Sequence, residues 1–431
     1  MRLFVLTAAL AGLLLSPLTA TRADEAPATS AKPIAVGAAD WPWWRGPTRD
    51  GVADPKQHPP LKWSATENVL WQVNVPGRGH GSPTVVGDHV YLAAADHDKE
   101  IQSVLCFDRL TGKQVWAKDI HKGGFEKKGN TRSSLASSSA ACDGKRVFIN
   151  FLHDGAIYTT CLDTAGEQRW QKKITDYVLH QGFGSSPALY ENLVIVSADN
   201  KGTGIIAALE RETGKEVWRH ERPKLPNYPS PIVLKVGGKD QVFMIGCDLV
   251  TSLDPKTGKV NWETKGSTTE CVTSTVTDGA RIFTSGGYPK NHVSAVLADG
   301  SGKVAWENGT RVYVPSMLLK DGYLYAATDG AVATCWKSDT GKKVWESRLN
   351  GTFNASPVLV GDLIFATNEA GRTYIFKAKP EGYENVGENQ LGEDVFATPA
   401  ICGDCIYMRV AAPGKGQRQE MLYCVKDAAK K

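Results

Sequence analysis

The sequence predicts an all-β fold: a single eight-bladed β-propeller of four-stranded antiparallel blades, with the last blade closed by the N-terminal strand. Three observations predict it. A pair of small residues recurs with a period mostly in the low forties, and a turn followed by tryptophan recurs with it. One strand is spare at the start of the chain, and one is missing at its end. A repeat of this length with four strand-sized segments is typical of propeller blades.

The small-residue pair marks the start of each predicted blade. It precedes a short apolar strand, a Gly/Asp turn and further apolar strands. Eight starts, 40 to 56 residues apart, predict eight blades. They are Ser82-Pro83, Ser138-Ser139, Ser186-Pro187, Ser230-Pro231, Ser274-Thr275, Ser316-Met317, Ser356-Pro357 and Thr398-Pro399.

The second half of the repeat reads Asp-x-x-Thr-Gly-Lys-x-x-Trp. Glycine suits the positive φ of a tight hairpin, and Asp and Thr close such a turn by bonding backbone amides. The tryptophan begins the outer strand, where its indole can fill the space between blades. Gly387 stands where the seventh complete repeat should have this tryptophan, so we expect a looser outer strand there. The predicted structural tryptophans are Trp71, Trp116, Trp170, Trp218, Trp262, Trp306 and Trp345.

The two ends of the chain complement each other. The eighth repeat runs from Thr398 to about Lys426 and has only three strands. The spare strand, Asn68–Val75, lies before the first repeat. Pairing these segments would close the ring and remove the exposed sheet edges.

The N-terminus resembles an export signal. Arg2 precedes an apolar run from Leu3 to Leu15, and Thr21 and Ala23 supply small residues at the two positions that a signal peptidase reads. These features predict a signal peptide over 1–23, a flexible leader over 24–39 and a propeller domain over 40–431. Cleavage would leave a periplasmic or extracellular protein. The first cysteine is Cys106, so the lipoprotein signal is missing; a retained N-terminal anchor is the alternative.

The charge balance argues against nucleic acid as a partner. The chain has 50 Lys and Arg against 46 Asp and Glu, a net charge of +4. Removing residues 1–23 takes away Arg2 and Arg22 and no acid, which leaves about +2. A near-balanced surface without basic runs does not attract a polyanion.

The repeat resembles the quinoprotein-type (PQQ-like) blade of periplasmic PQQ dehydrogenases and of the BamB propellers of outer-membrane barrel assembly. The segments 41–52, 61–63 and 69–71 resemble a large set of exported PQQ-like propellers in planctomycete-type bacteria. The resemblance covers roughly residues 40 to 427 and implies fold more than activity.

The same resemblance allows a test for the cofactor. Relatives that use PQQ place it over a Trp, cover it with a disulfide between adjacent cysteines, and bind a calcium ion through Glu, Asn and Asp. This chain has no adjacent cysteine pair and no Cys-x-x-Cys-His haem site. We therefore expect no cofactor, with PQQ and calcium as the alternative.

The nine cysteines indicate packing more than chemistry. Cys106, Cys161, Cys335 and Cys424 share one repeat position, which Ala208 and Ser252 take in other blades, so the position selects for small size. The pair Cys402-Gly-Asp-Cys405 flanks a turn and is a candidate disulfide. Half a metal site and two free thiols are the other interpretations, and no second pair completes a zinc site.

Polar residues converge on one side of the predicted ring. We call this side, which carries the links between blades and the loops from second to third strands, the top face. A concave site with convergent polar groups predicts a ligand or partner site, although loops are also polar simply because they are hydrated. The spacing indicates no catalytic residue. The candidate binding residues are Arg78, His80, Arg132, His180, Gln181, Tyr228, Glu270, Arg311, Tyr313, Asn354 and Asp394.

One aromatic cluster, Trp41, Trp43 and Trp44 with Arg45, precedes the first strand. It indicates a segment packed across the propeller, with an aromatic clamp for a carbohydrate or protein as the alternative. Together these features predict a monomeric binding module with a protein partner or small ligand, which reaches a membrane only through a partner. A periplasmic quinoprotein-type oxidoreductase is the rival hypothesis.

Overall fold

The computed structural model describes Met1 and residues 34–125, 129–412 and 418–427. The predicted signal peptide beyond Met1 and residues 24–33 of the predicted leader lie outside these ranges. Within the ranges no helix is long and apolar enough to cross a bilayer.

Thirty-two strands form eight four-stranded antiparallel sheets, which confirms the predicted fold class. The first strand, β1 (Val69–Val75), belongs to the last sheet. Blade 1 has β2 (Thr84–Val86), β3 (His89–Asp96), β4 (Ile101–Asp108) and β5 (Gln114–Lys122). Blade 2 has β6 (Ala141–Cys142), β7 (Arg146–His153), β8 (Ala156–Asp163) and β9 (Gln168–Asp176). Blade 3 has β10 (Ala188–Tyr190), β11 (Leu193–Ser197), β12 (Gly204–Glu210) and β13 (Glu216–Arg222). Blade 4 has β14 (Ile232–Val236), β15 (Lys239–Gly246), β16 (Leu249–Leu253) and β17 (Val260–Lys265).

The second half of the ring repeats this order. Blade 5 has β18 (Val276–Thr277), β19 (Arg281–Gly286), β20 (His292–Leu297) and β21 (Val304–Asn308). Blade 6 has β22 (Leu318–Lys320), β23 (Tyr323–Ala327), β24 (Val332–Lys337) and β25 (Lys343–Arg348). Blade 7 has β26 (Val358–Val360), β27 (Leu363–Thr367), β28 (Arg372–Lys377) and β29 (Asn385–Gln390). Blade 8 has β30 (Ala400–Cys402), β31 (Cys405–Ala412), β32 (Gln419–Val425) and β1.

Burial follows the position of a strand within its blade. Second and third strands such as β3 and β12 are buried almost throughout, because a neighbouring blade covers each of their faces. Fourth strands such as β5 and β29 are mostly exposed or half-buried. First strands contact those of adjacent blades, for example β2 with β6 and with β30, so they line the centre of the ring.

The small-residue pair joins the blades by hydrogen bonds. The Ser82 amide donates to Ser139 Oγ and the Ser139 amide to Ser186 Oγ, both at 2.9 Å. Blade 2 thus uses Ser139 here, one residue after the predicted start at Ser138. The same contact recurs from Ser186 to Ser230, Ser274 to Ser316, Ser316 to Ser356 and Ser356 to Thr398, at 2.8 to 2.9 Å. The position selects for a small hydroxyl because that group accepts the bond in a buried interface.

The tryptophans join the blades further out. Trp218 of blade 3 packs on Gly258 in the turn between the third and fourth strands of blade 4, since a Cβ on that glycine would lie 2.5 Å from the indole. Its Nε1 donates to Pro255 O at 3.0 Å. Five other repeat tryptophans donate to the equivalent carbonyl of the next blade: Trp71, Trp116, Trp170, Trp306 and Trp345. The seventh, Trp262, is buried, but its Nε1 has no partner among the described residues. Tryptophan and turn glycine recur together because the indole of one blade packs on the turn glycine of the next blade.

A tryptophan from the N-terminal segment lies near the outer strand of blade 7, which lacks its own. Trp63 is buried in the core shared by blades 7 and 8. Its amide donates to Asn389 Oδ1 at 2.8 Å, and Asn389 Nδ2 donates to Leu61 O at 3.0 Å. The N-terminal segment thus contacts β29 at Asn389, while most of β29 remains exposed, and the looser outer strand expected in blade 7 stays a prediction.

The ring closes as predicted. β1 pairs antiparallel with β32, from Val69 opposite Val425 to Val75 opposite Glu420. The described end of the predicted leader also contacts the propeller. Ile34 and Val36 pack on the core of blades 2 and 3, and the Ala35 amide donates to Asp143 O at 3.0 Å.

Candidate functional site

The centre of the ring is occupied by residues 41–52, which we call the plug segment. On one side Trp41 bridges to Val85 of blade 1, and the Cys142 amide of blade 2 donates to Pro42 O at 2.8 Å. Further along the segment, Arg49 donates to Leu189 O of blade 3 at 2.7 Å, and Val52 bridges to Leu359 of blade 7. Blades 3 and 7 stand opposite each other in a ring of eight, so a segment that contacts the first strands of both lies across the channel.

Arg45 and Trp44 extend these contacts to further blades. Arg45 donates to Met317 O at 2.6 Å and to Pro357 O at 3.2 Å, while Trp44 Nε1 donates to Ser274 Oγ at 2.8 Å. Burial lowers the pKa of Arg45 to about 10, so the guanidinium stays charged at neutral pH and is solvated by carbonyls. Because Trp41 and Trp43 are buried, the packing interpretation holds and their rings are not free to act as a clamp.

The top face has two groups of interacting residues. We call Arg78, His80, Arg132, Arg409 and Arg418 the arginine cluster; it lies on blades 1, 2 and 8. Its centre is His80, whose ring stacks on Phe396 at 4.2 Å between centroids. Burial and the surrounding arginines hold the pKa of His80 well below its usual value. A neutral His80 can accept from Arg78 through Nε2, at 3.4 Å.

Three acids partly balance the arginine cluster. Arg132 and the Asn354 amide both bind Glu369, so a link of blade 2 is tied to a loop of blade 7 across blades 1 and 8. Arg418 pairs with Asp394 and with Glu420, and the buried Arg409 binds Glu420 at 3.3 Å. Asn354 and Asp394 are thus held by other protein groups.

The second group lies on blades 4 to 6, and we call Tyr228, Tyr288, Arg311 and Tyr313 the tyrosine cluster. Arg311 lies 5.0 Å from the Tyr313 ring centroid and donates to Gly287 O at 3.2 Å. Asp329 accepts from the Tyr313 amide at 2.7 Å and fixes that link. Burial and the nearby Glu270 carboxylate raise the pKa values of Tyr228 and Tyr313, so both hydroxyls stay protonated.

Glu270 and His180 border the tyrosine cluster. His180 Nε2 lies 3.3 Å from Glu270 Oε1, and Lys201 Nζ lies 3.1 Å from His180 Nδ1. Because an ammonium can only donate, Nδ1 is the acceptor and the imidazole proton points from Nε2 to Glu270. Gln181, the next residue, lines a separate cavity between blades 1, 2 and 3.

The sequence missed three residues of this face, Tyr288, Phe396 and Arg409. Tyr288 follows Gly286-Gly287 in the β19–β20 loop, and this aromatic residue in a top-face loop was the available signal. Arg409 lies inside β31, where the strand pattern hides a buried charge.

The cysteines are all buried free thiols. Cys402 and Cys405 face each other across a two-residue turn, so they are cross-strand neighbours, and their disulfide remains a prediction. Contact with the Cys424 thiol lowers the pKa of Cys405. Arg109 lies 3.7 Å from Cys402 Sγ and 3.1 Å from Tyr407 Oη.

The described residues do not fit a PQQ and calcium site of the known kind. They contain no group of three or more His, Cys, Asp or Glu that could hold a metal ion. The centre of the ring is filled by the plug segment, and the adjacent cysteine pair is missing from the sequence.

The family was determined by comparison with known proteins. The family model described as outer membrane protein assembly factor BamB matches residues 61–116, 100–290 and 289–382. The chain belongs to the BamB family. The BamB of Bordetella pertussis is 24% identical over 334 residues, which cover 73% of this chain and 77% of that protein.

Structural neighbours of this BamB family member include enzymes as well as assembly factors. BamB from Moraxella catarrhalis matches with a TM-score of 0.58 and 13% identity, over 82% of this chain and 96% of that one. A europium-containing methanol dehydrogenase matches with a TM-score of 0.66 and 12% identity, over 90% and 98%. At such identities the likeness shows the fold alone.

One curated enzyme is also similar to this chain. The polyvinylalcohol dehydrogenase of a Pseudomonas species is 27% identical over 219 residues, or 47% of this chain and 32% of that enzyme.

Proposed function

We propose that this protein is a non-catalytic scaffold of the cell envelope that binds a protein partner through its top face. It would be exported, cleaved after residue 23 and released as a monomer without a lipid anchor, so that it reaches a membrane only through its partner. Family membership supports a role in outer-membrane protein assembly. The partner would accordingly be another component of that assembly machinery.

The observation that carries the proposal is the exposed part of the tyrosine cluster, Tyr288 and Arg311. Tyr288 is 54% exposed, although large apolar or aromatic side chains are mostly buried elsewhere in the molecule. Arg311 is exposed beside it and is held by the Gly287 carbonyl and the Tyr313 ring. Tyrosine and arginine dominate the energetics of protein interfaces, and rigid anchors lose little entropy on binding.

Site-specific photo-crosslinking in intact cells tests this proposal. A benzophenone amino acid replaces Tyr288 in one variant and Leu110 in a matched control. Leu110 is 72% exposed but lies in a turn on the opposite face. We expect position 288, and not position 110, to crosslink to a component of the outer-membrane assembly machinery. Equal crosslinking at both positions, or none at 288, would contradict the proposal.

A substitution distinguishes specific docking from proximity. Arg311→Ala removes a cation at the centre of the cluster and should reduce the crosslink at 288 at least tenfold, the effect of losing one interface anchor of about 1.4 kcal/mol or more. Arg372→Ala, in the partly exposed Arg372–Glu388 pair on blade 7, is the control and should leave the crosslink unchanged.

The rival hypothesis is a quinoprotein-type oxidoreductase. It is favoured by the similarity to the polyvinylalcohol dehydrogenase over about half of this chain. The described residues offer neither a metal cluster nor an open ring centre for the cofactor. We therefore rank it second.

A further inference from the structure

A cavity of about 430 Å³ lies on the top face beside the arginine cluster. Its walls come from the link between blades 1 and 2, the link between blades 2 and 3, and the β3–β4 loop. Ligand pockets commonly measure roughly 300 to 1,000 Å³, so this cavity has the size for a small molecule. It is separate from the tyrosine cluster on blades 4 to 6.

One wall of the cavity is apolar. It carries three phenylalanine rings, Phe125, Phe151 and Phe183, together with Leu152 and Leu179. Phe151 is buried, and Phe183 is held edge-on by Tyr177 at 5.6 Å between centroids. Such a wall provides a site for an aromatic or branched apolar group.

Another part of the lining carries a cation with unused hydrogen-bonding capacity. Arg78 lines the cavity, and its one side-chain hydrogen bond among the described residues is with the neutral His80. Its Nε is buried with no acceptor among those residues, and the buried Ser138 Oγ beside the cavity is likewise without a partner there. Burial and the neighbouring Arg418 lower the pKa of Arg78, so an anion placed here would relieve crowded positive charge.

An anionic group also lines the cavity. Glu100 is half-buried and, like Arg78, forms no ion pair with any described residue. The backbone of Glu100 is held in place, because its carbonyl oxygen accepts from the Gly123 amide at 2.8 Å. The cavity therefore offers two unpaired charges of opposite sign beside an apolar wall.

We propose that this cavity binds a free α-amino acid with an aromatic or branched apolar side chain. The carboxylate would pair with Arg78, the ammonium with Glu100, and the side chain would lie among the three phenylalanine rings. A simple carboxylate would leave Glu100 unpaired, and a neutral sugar would leave both charges unpaired, which costs free energy in a half-buried site. A nucleotide needs more than one cation for its phosphates.

The test pairs three probes with two protein variants. Calorimetric titration compares L-phenylalanine, N-acetylphenylalanine, which lacks the cation, and phenylalaninamide, which lacks the anion. For the wild-type protein we expect saturable binding of phenylalanine and at least tenfold weaker binding of both derivatives, as for loss of a charge-assisted hydrogen bond. Arg78→Gln should abolish the preference over phenylalaninamide, and Glu100→Gln the preference over N-acetylphenylalanine.

Arg372→Gln, in the partly exposed Arg372–Glu388 pair on blade 7, is the matched control and should bind all three probes as the wild type does. Thermal unfolding of each variant shows whether the fold is retained. Absence of phenylalanine binding by a folded wild-type protein would overturn the proposal, and so would equal binding of the three probes. Neither result bears on crosslinking at Tyr288, so failure here is distinguishable from failure of the proposed function.

Discussion

At the scale of single residues, most repeat positions act between blades. The serine hydroxyl accepts an amide of one neighbour, and the tryptophan packs on a glycine of another. The sequence predicted which residues recur because repetition is visible along the chain. It did not predict that Trp63 would serve blade 7 or that Arg132 would meet Glu369, since 326 and 237 residues separate these contacts. A local sequence pattern does not indicate which loops contact each other across the ring.

The glycine beneath each tryptophan provides a direct test. Gly258 has φ +69° and lies against the Trp218 indole, whereas Gly322 has φ +79° with nothing within 4 Å of a Cβ. Gly322→Ala should cost only the strain of the left-handed conformation, about 1 kcal/mol. Gly258→Ala adds a clash with a buried ring and should cost roughly 1–3 kcal/mol more in the free energy of unfolding. Chemical denaturation of both variants measures the difference, and equal losses would show that the indole does not constrain the turn.

His121 predicts a pH dependence of stability. Burial and the stacked His153 lower the pKa of His121 to about 4, and its Nε2 is buried without a partner in the described ranges. Below the unfolded-state pKa, near 6.5, the unfolded chain takes up a proton that the folded chain does not. Stability should therefore fall between pH 6.5 and 4, at up to about 1.4 kcal/mol per pH unit.

His121→Phe should remove this part of the slope and leave stability at pH 7.5 equal or higher, because no hydrogen bond of Nε2 is lost. His97→Gln, at an exposed histidine, is the control and should retain the wild-type slope. Urea unfolding from pH 7.5 to 4.5 measures both. An unchanged slope in His121→Phe would assign the acid sensitivity to other groups.

At the scale of elements, the N-terminal segment, residues 41–75, has three separate structural roles. It fills the ring centre with the plug segment, contacts β29 through the Trp63 amide and supplies β1 to blade 8. Only the last was predictable, because a missing strand and a spare strand can be counted in the sequence. The packing role of Trp41 and Trp43 could be proposed from composition, but its contacts with first strands on both sides of the ring could not.

Deleting residues 40–75 should abolish cooperative unfolding. The deletion exposes the edge of β32 and empties a buried core of three tryptophans, each contributing of order 3–5 kcal/mol. A scanning calorimetry trace should lose its single sharp transition. Adding residues 34–75 as a separate peptide is the control and should restore the transition, as for a fragment that rebinds. A sharp transition in the deleted chain alone would mean that seven complete blades are sufficient.

At the scale of the whole molecule, closure of the ring is compatible with a binding surface on one face. The plug segment occupies the ring centre, and cross-blade pairs such as Arg132–Glu369 and His180–Glu270 satisfy many of the polar groups that converge there. Of the predicted top-face residues, Arg78 Nε and Tyr228 Oη are buried without a hydrogen-bond partner among the described residues, and Arg311 is exposed. The sequence predicted which residues lie on the top face, but not which of them form hydrogen bonds or ion pairs with other residues of the protein.

This arrangement predicts the outcome of a cofactor titration. Mature protein titrated with PQQ and Ca²⁺ should show no saturable heat, and a dye-linked alcohol oxidation assay should show no turnover. A quinoprotein dehydrogenase of the same fold, titrated in parallel, verifies the reagents. Tight binding with turnover would replace the scaffold hypothesis by the oxidoreductase one.

The pairing of β1 with β32 also affects how the molecule is made. The ribosome produces β1 first and β32 last among the thirty-two strands, so β1 has no sheet partner until the residues of β32 have emerged. Nascent or truncated chains that end before Gln419 present an apolar strand edge that proteases and chaperones can recognise. Pairing of β32 with β1 thus covers a strand edge that any chain lacking β32 leaves exposed.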